Sequence, residues 1–325
     1  QFEVNDFSRG FVSHAASYNI PTEYLADVEN MELVQGMWQK RKGFHLSGTY
    51  DTISPTPGQI RGAHIVSIQG NLRLLVVCRN DIYEAKSLTS ESSGKLFTNL
   101  VPMSPHVSFI DFNNACYIAH GEGNLLKYDG SKIKEIESPD GSVLAAYDNR
   151  IILAGIKGDP LVIHFSGKGE GEDWRALDYI VLDGKSAEKI TALIPMLGKL
   201  FIFTNHAIYS LVGAMDNFAL SLEVSGIGAV TSSAIYATGN LIYFVSSDYK
   251  IYEFDGGSFP KEISRNISHY LQSNFPKSAI ENAVFTHYKD SVWLTLDNSP
   301  LPEERITLIY YPDYGIWTKF RGIPS

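Results

Sequence analysis

Two groups of acidic residues are the strongest candidates for catalysis in this sequence. Glu170, Glu172 and Asp173 lie in the stretch GKGEGEDW, and Glu303 and Glu304 are adjacent to each other. Glycoside hydrolases use a pair of carboxylates as acid, base or nucleophile, and the separation of the pair decides the mechanism. Both groups lie in stretches typical of solvated loops. A carbohydrate-processing site is therefore the alternative interpretation and not the leading one.

Other patterns predict little chemistry. Residues 167–171 resemble a phosphate-binding run, but they carry acids where such a site needs amides and lysine. Cys116 and His120 are four residues apart, which suits a metal on a helix. On the strand predicted here, however, they would be roughly 13 Å apart. The motifs G-x-S-x-G, H-E-x-x-H, C-x-x-C and the Walker loop are absent from the sequence. We therefore predict a binding or assembly protein with no catalytic residue, cofactor or metal site.

The four tryptophans leave a carbohydrate-binding role open. Aromatic rings can stack on sugars, but they also fill the cores of β-sheet proteins. For Trp293 and Trp317 we expect the core position. The other two are Trp38 and Trp174.

Composition narrows the class of protein. The 27 basic and 36 acidic residues give a net charge of −9, which disfavours a protein that grips nucleic-acid phosphates. The 18 Tyr and 17 Phe residues favour β-strands. No apolar run is long enough to span a membrane, and the first residues do not resemble a secretory signal. We expect a soluble product of the cytoplasm whose two cysteines, Cys78 and Cys116, are free thiols.

A β-hairpin unit recurs six times along the chain. Each copy has a Gly, Asn or Lys turn, an apolar strand, a short polar turn, and a second strand ending in Tyr or Phe. The apolar runs are often continuous, which indicates burial on both faces. The six copies are 69–85, Asn113–Gly130, Asp148–Gly167, Leu197–Gly213, Thr238–Gly256 and Tyr288–Phe320.

The spacing of the copies predicts the fold. The opening turns are 43, 35, 50, 41 and 50 residues apart, which matches one four-stranded propeller blade per copy. Apolar segments before the copies, such as 189–196 and 279–288, supply further strands. We predict an all-β protein, a six-bladed β-propeller, with a β-sandwich or two smaller β domains as the alternative. The turns used as markers contain Gly70, Asn113, Asp148, Gly198, Gly239 and Lys289.

Three segments interrupt the repeat, and one of them is the glycine- and acid-rich stretch Gly167–Lys185, which predicts a surface loop. Residues 1–50 predict an N-terminal arm that packs along the propeller and supplies a blade-closing strand, since a ring needs its ends joined. Residues 51–325 form the propeller. Helical spacing of apolar residues predicts one inter-blade helix from Glu262 to Ser273. A partner-binding helix is the alternative there.

The order of several short motifs resembles a family of bacteriophage virion proteins. The arm contains D-F-S-R-G at 6–10, I-P at 20–21, A-D-V-E-N-M at 26–31 and R-K-G-F at 41–44. Later matches are Phe165-Ser166 with Asp173-Trp174, 199–203 with Ile208-Tyr209, 226–229, Ile251-Tyr252 with 254–256, and Trp317-Thr318. The chain is similar to propeller proteins of the tail nozzle and tail-hub type from short-tailed phages.

This resemblance implies a structural role. It implies copies of the chain in a ring, commonly six, that extends or closes the DNA-ejection channel of a virion tail after synthesis in the host cytoplasm. Partners would be other tail proteins, such as adaptor and fibres, with genomic DNA passing through unbound. We expect contacts from the arm and from the loop 167–177. The candidate interaction residues are Phe7, Arg9, Tyr18, Tyr24, Met31, Trp38, Arg41, Glu170, Glu172, Asp173 and Trp174.

Overall fold

A computed structural model describes most of the chain. The described residues are 9–13, 20–43, 60–85, 93–97, 107–185, 187–214, 217–257, 259–296, 299, 301 and 304–323. By its internal contacts the chain divides into two compact units. One comprises residues 45–223, and the other comprises residues 1–44 together with 224–325.

Six four-stranded antiparallel sheets, each made of consecutive strands, confirm the predicted six-bladed β-propeller. Blades 1 to 4 belong to the unit 45–223, with β18 extending two residues past it. Blade 1 contains β3 (Ile60–Ile68), β4 (Asn71–Cys78), β5 (Asp81–Ala85) and β6 (Ser93–Phe97). Blade 2 contains β7 (Ser108–Phe112), β8 (Ala115–Ala119), β9 (Leu126–Tyr128) and β10 (Ile133–Glu135). Blade 3 contains β11 (Val143–Tyr147), β12 (Arg150–Ala154), β13 (Val162–Ser166) and β14 (Trp174–Val181). Blade 4 contains β15 (Ile190–Met196), β16 (Lys199–Thr204), β17 (Ala207–Val212) and β18 (Ala219–Ser225).

The second unit holds the last two blades and the arm. Blade 5 contains β19 (Ile235–Thr238), β20 (Leu241–Val245), β21 (Ile251–Phe254) and β22 (Lys261–Glu262). Blade 6 contains β23 (Val284–Tyr288), β24 (Ser291–Leu296), β25 (Ile306–Tyr311) and β26 (Ile316–Arg321). The arm forms a separate two-stranded sheet of β1 (Met31–Val34) and β2 (Met37–Lys40).

The first five repeat copies each correspond to the second and third strands of a blade, and the sixth also includes most of the fourth strand, β26. In every copy the opening turn joins the first strand of the blade to the second. All six turns are two residues long, as the registers Ile68↔Asn71 and Tyr288↔Ser291 show at the two ends of the series. All six contain a residue with positive φ. Such turns twist in the sense that the strands require, and they favour Gly and Asn. The six marker residues have φ between 47° and 77°.

The middle strands are buried on both faces, as their continuous apolar runs predict. All five residues of β8 are buried, and so are five of the six residues in β16. Their side chains enter clusters that join successive blades, such as the cluster of Ile152 and Phe165 with Ile202 and Tyr209. First strands of successive blades contact one another within each unit, as β7 does with β3 and β11.

The predicted helix begins later than expected. Residues 261–262 pair with β21 as the fourth strand of blade 5, and Ile263 N donates to Ile251 O. Because these backbone groups are used by the sheet, helix α1 spans only Ser268–Asn274. It ends one residue after the predicted Ser273, and a second helix, α2, follows at Lys277–Glu281. Leu271 is buried in the core of blades 5 and 6.

The arm lies along β26, the outer strand of the last blade. Phe11 N donates to Trp317 O at 3.1 Å, and Asn30 N donates to Lys319 O at 2.9 Å. Glu29 and Lys319 form an isolated parallel bridge. Blade 6 takes its four strands from residues 284–321, so the arm covers the edge of that sheet and β1 and β2 remain outside it.

The opening turn of blade 4 contains a strained residue. Leu197 has φ 52° and a side chain that is 63% exposed. A bulky residue is rare in this backbone conformation, whereas Asn adopts it readily before Gly. We expect Leu197→Asn to stabilise the protein by about 0.5–1 kcal/mol, measured as a rise in the urea-unfolding midpoint. Leu72→Asn, at an equally exposed leucine in β4, should give no gain. Equal effects of both substitutions would show that strain at Leu197 is not the cause.

Candidate interaction surfaces

A buried lysine fastens the arm to the last blade. The Lys319 side chain is only 8% exposed, and its Nζ lies 2.7 Å from Asp27 Oδ1 and 3.6 Å from Glu29 Oε2. It also lies over the ring of Phe11 at 5.7 Å and that of Tyr270 at 5.0 Å. Burial lowers the pKa of Lys319, but the hydrogen bond to Asp27 and the nearby charges outweigh it, and the pKa is raised. The ammonium therefore stays charged at neutral pH.

Two arginines extend this fastening. Arg321 pairs with both oxygens of Glu29 at 2.9 and 3.2 Å. Arg41 donates to Asn30 Oδ1 at 2.8 Å and to the backbone oxygen of Arg321 at 2.9 Å, and its guanidinium lies over the Phe320 ring. The guanidinium of Arg41, one of the predicted contact residues, is thus bound within the chain.

Most of the other predicted arm residues also have contacts within the unit. Arg9 is exposed and lies over the Tyr24 ring at 5.8 Å. Met31 and Trp38 pack against the core of blades 5 and 6. Phe7 and Tyr18 lie outside the described residues.

The tip of the arm hairpin carries exposed apolar side chains instead. Val34 is 39% exposed and Met37 is 68% exposed, and they face each other across the β1–β2 turn. That turn lies beside Tyr314, since a Cβ at Gly36 would be 3.9 Å from the tyrosine ring. Tyr314 is 51% exposed. We call Val34, Met37 and Tyr314 the arm-tip patch.

The acidic loop between β13 and β14 folds back onto blade 2. Glu172 accepts from Lys127 at 2.6 Å and from Lys134 at 2.7 Å. These hydrogen bonds, first from Lys127 and then from Lys134, lower the pKa of Glu172. Asp173 pairs with Arg175 at 3.2 Å. Glu172 therefore joins two blades of one chain.

The glycines of this loop serve close packing. A Cβ on Gly171 would lie 2.3 Å from the hydroxyl of Tyr117 in blade 2. Gly171 O accepts from Trp174 Nε1 at 3.1 Å, and the indole packs against the core of blades 2 and 3. Glu170 remains exposed. The loop thus holds one acid free to meet a partner, and its shape is set by blade contacts.

An exposed apolar row follows the loop on the outer strand of blade 3. Leu177 is 86% exposed, Val181 is 56% exposed and Tyr179 is 46% exposed. Alternate residues of a strand lie on one face, and β14 is at the outer edge of its sheet. We call Leu177, Tyr179 and Val181 the β14 row. Exposed apolar rows on edge strands are sites where chains associate.

The residues predicted to make contacts are mostly aromatic and charged, because such residues dominate binding sites in general. The exposed apolar side chains of the arm-tip patch and of the β14 row are not among them. The alternation of WRALDYIV around Leu177 was a usable signal for a half-exposed strand. No sequence signal marked Tyr314, which meets the arm only through the fold.

Comparisons with known proteins show the fold. No protein-family model matches the chain, and no curated protein matches it in sequence. Among solved structures, Raptor from Chaetomium thermophilum matches with 13% identity and a TM-score of 0.53, over 81% of this chain and 25% of that one. BamB from Moraxella catarrhalis matches with 10% identity and a TM-score of 0.47, over 78% and 74%. YCF48 from Cyanidioschyzon merolae matches with 10% identity and a TM-score of 0.46, over 86% of each chain.

These similarities are to other propellers. Identities of this size show the fold alone, and the chain spans about a quarter of the length of Raptor. Within the described part of the chain, none of the helices has the length and apolar character needed to cross a membrane.

Substitution of Gly10 tests whether packing of the arm against β26 contributes to the stability of the fold. It has φ +66°, and a Cβ there would lie 2.8 Å from the Ile316 Cβ. We expect Gly10→Ala to cost about 1–3 kcal/mol more than backbone strain alone, because β26 must shift. Gly70→Ala is the matched control, with φ +77° and nothing within 4 Å of the added Cβ. Urea unfolding of both variants measures the difference. Equal losses would mean that the arm is only loosely attached.

Glu172 tests the bridge between blades 2 and 3. Its lowered pKa means that the ion pairs stabilise the protein above the ordinary glutamate pKa of about 4.3 and are lost as pH falls below it. The carboxylate is 39% exposed, so we expect Glu172→Gln to cost about 1 kcal/mol at pH 7. The cost should decrease steadily as pH falls below about 4.3, because the carboxylate becomes protonated as pH approaches its lowered pKa. Unfolding midpoints at several pH values measure this, with Glu170→Gln as control. A cost that does not change between pH 7 and acidic pH would contradict it.

Proposed function

We propose that this chain is a structural component of a phage tail that assembles into a ring of identical copies. The ring would extend or close the DNA-ejection channel, and the chain would reside in the virion tail after synthesis in the host cytoplasm. Support comes from the ordered resemblance to tail nozzle and hub proteins and from the propeller fold.

The observation that carries the assembly is the pair of exposed apolar surfaces. The arm-tip patch lies in the unit of residues 1–44 and 224–325, and the β14 row lies in the unit 45–223. The two surfaces differ in residues and in backbone setting. A closed ring needs heterologous contacts, in which one surface of a copy meets a different surface of the next. Two unlike patches on each copy meet that requirement.

The negative net charge of the chain is consistent with DNA passing through the ring without specific binding. The chain has a net charge of −9, and several of its described cations are paired within the chain, as Lys127, Lys319 and Arg321 are. Unpaired Lys and Arg side chains are what bind phosphates. Six copies and contacts with adaptor and fibre proteins are part of the proposal.

No specific observation favours the carbohydrate alternative. Trp317 is 1% exposed and lies in a blade core. Trp38, Trp174 and Trp293 each pack against a core cluster. Glu303 lies outside the described residues, so the structure does not place the pair that it forms with Glu304.

Assembly can be tested with one substitution in each patch. We expect the wild-type chain to form a closed oligomer by native mass spectrometry and negative-stain microscopy. Met37→Asp and Leu177→Asp should each give monomers with an unchanged unfolding midpoint, because both side chains are largely exposed. An equimolar mixture of the two variants should give dimers but no ring, because each mixed pair retains one intact contact. Leu72→Asp, at another exposed leucine, is the control and should still form rings.

Assembly and location are tested separately. A wild-type chain that stays monomeric at high concentration would refute self-assembly. Mass spectrometry of purified virions from the source of the sequence tests the location, and we expect several copies per particle. Rings without virion incorporation would refute the tail role and leave the assembly standing.

A further inference from the structure

Three side chains of residue types that can bind metals lie close together where β3 of blade 1 contacts β7 and β8 of blade 2. They are His64 in β3, Asp111 in β7 and Cys116 in β8. One ligand atom from each lies within 4.8 Å of the other two. His64 Nε2 is 2.9 Å from Asp111 Oδ1. All three belong to the unit 45–223.

The hairpin places Asp111 beside Cys116. These residues are direct partners in the β7–β8 register, two positions from the Asn113–Asn114 turn. Paired residues in an antiparallel sheet point to the same face, with Cβ atoms about 5 Å apart. The two-residue turn of this hairpin therefore brings the carboxylate of Asp111 and the thiol of Cys116 together.

Packing between the blades orients the histidine. The imidazole stacks on Phe109 with ring centroids 5.5 Å apart and planes 12° apart. Phe109 can approach β3 because Gly62 has no side chain, and a Cβ there would lie 2.8 Å from the phenyl ring. The stack leaves Nε2 directed at Asp111.

We propose that His64, Asp111 and Cys116 form a zinc site that links blade 1 to blade 2. Zinc accepts imidazole, carboxylate and thiolate ligands at about 2.0–2.3 Å and prefers tetrahedral geometry. Ligand atoms in such a site are about 3.3–3.8 Å apart, so small side-chain rotations complete the geometry. The fourth position faces solvent through Asp111, whose side chain is 45% exposed, and His64, which is 30% exposed.

A catalytic role in which Cys116 is a nucleophile explains this cluster of three side chains less well than a zinc site does. Cys116 has no exposed surface. A nucleophile must be reached by a substrate from solution, and the thiol of Cys116 does not reach the surface. The simpler explanation is a surface histidine–aspartate pair above a buried cysteine that acts as an apolar side chain. Metal binding distinguishes that explanation from a zinc site.

Cobalt reports directly on the ligands. We expect the full-length chain, freed of metal with a chelator, to bind one Co²⁺ with a sulfur-to-cobalt charge-transfer band and the visible bands of tetrahedral cobalt. One equivalent of Zn²⁺ should abolish both. Cys116→Ser should lose the charge-transfer band, whereas Cys78→Ser, at the other buried free cysteine, should keep it.

The other two proposed ligands, His64 and Asp111, are partly exposed, so they can be substituted without disturbing the core. His64→Asn and Asp111→Asn should each weaken zinc binding more than tenfold, measured by competition with a chromophoric chelator. Zinc should raise the Tm of the wild type but not that of either variant, since only a ligand that binds the folded state stabilises it. His287→Asn, at an exposed histidine of β23, should behave as wild type. No charge-transfer band in the wild type, or zinc affinity unchanged in His64→Asn, would overturn the proposal.

Discussion

Burial on both faces of each blade is the constraint on which the rest of the structure depends. Middle strands such as β8 and β16 have apolar side chains on each face of their sheet, so an isolated blade would expose both apolar faces to water. Stacking of blade on blade buries these apolar faces, so each blade depends on its neighbours for stability. It also makes register critical, because a slip of one residue would exchange the two faces of a strand. The two-residue turns that open the blades fix this register.

The turns and the arm have different roles in the propeller: the turns set the register of each blade, and the arm covers the outer edge of the last one. Turns such as Asn113–Asn114 determine which residues of a blade meet the next one. The arm protects the outer edge of blade 6, where β26 would otherwise present unpaired backbone groups. Phe11 and Asn30 satisfy two of these groups, and Lys319 adds a buried charge whose partners come from the arm. Burying a lysine without such partners would be costly, so the blade and the arm depend on each other.

Sequence could predict the blades because their signals are local. Strand pairs, two-residue turns and continuous apolar runs all lie within about 45 residues of one another, and the six turn markers all have positive φ. The helix predicted from Glu262 begins later in the structure because Lys261 and Glu262 join a sheet, which helical periodicity does not reveal. The edge covering by the arm depends on pairs such as Glu29 and Lys319, which are 290 residues apart. Such contacts leave no periodic signal.

Contacts between residues distant in sequence also explain why the predicted interaction residues differ from the residues that the fold leaves exposed. Charged residues in the arm and in the acidic loop looked like contacts for partners, but Arg41 and Glu172 bind within their own chain. A charged side chain already bound inside a fold must leave those partners before another chain can bind it, which lowers the net gain from association. Apolar side chains carry no such cost, and Met37 and Leu177 lose only water on contact. In the proposed assembly, this difference favours contacts through the apolar side chains of the arm-tip patch and the β14 row over contacts through the charged residues.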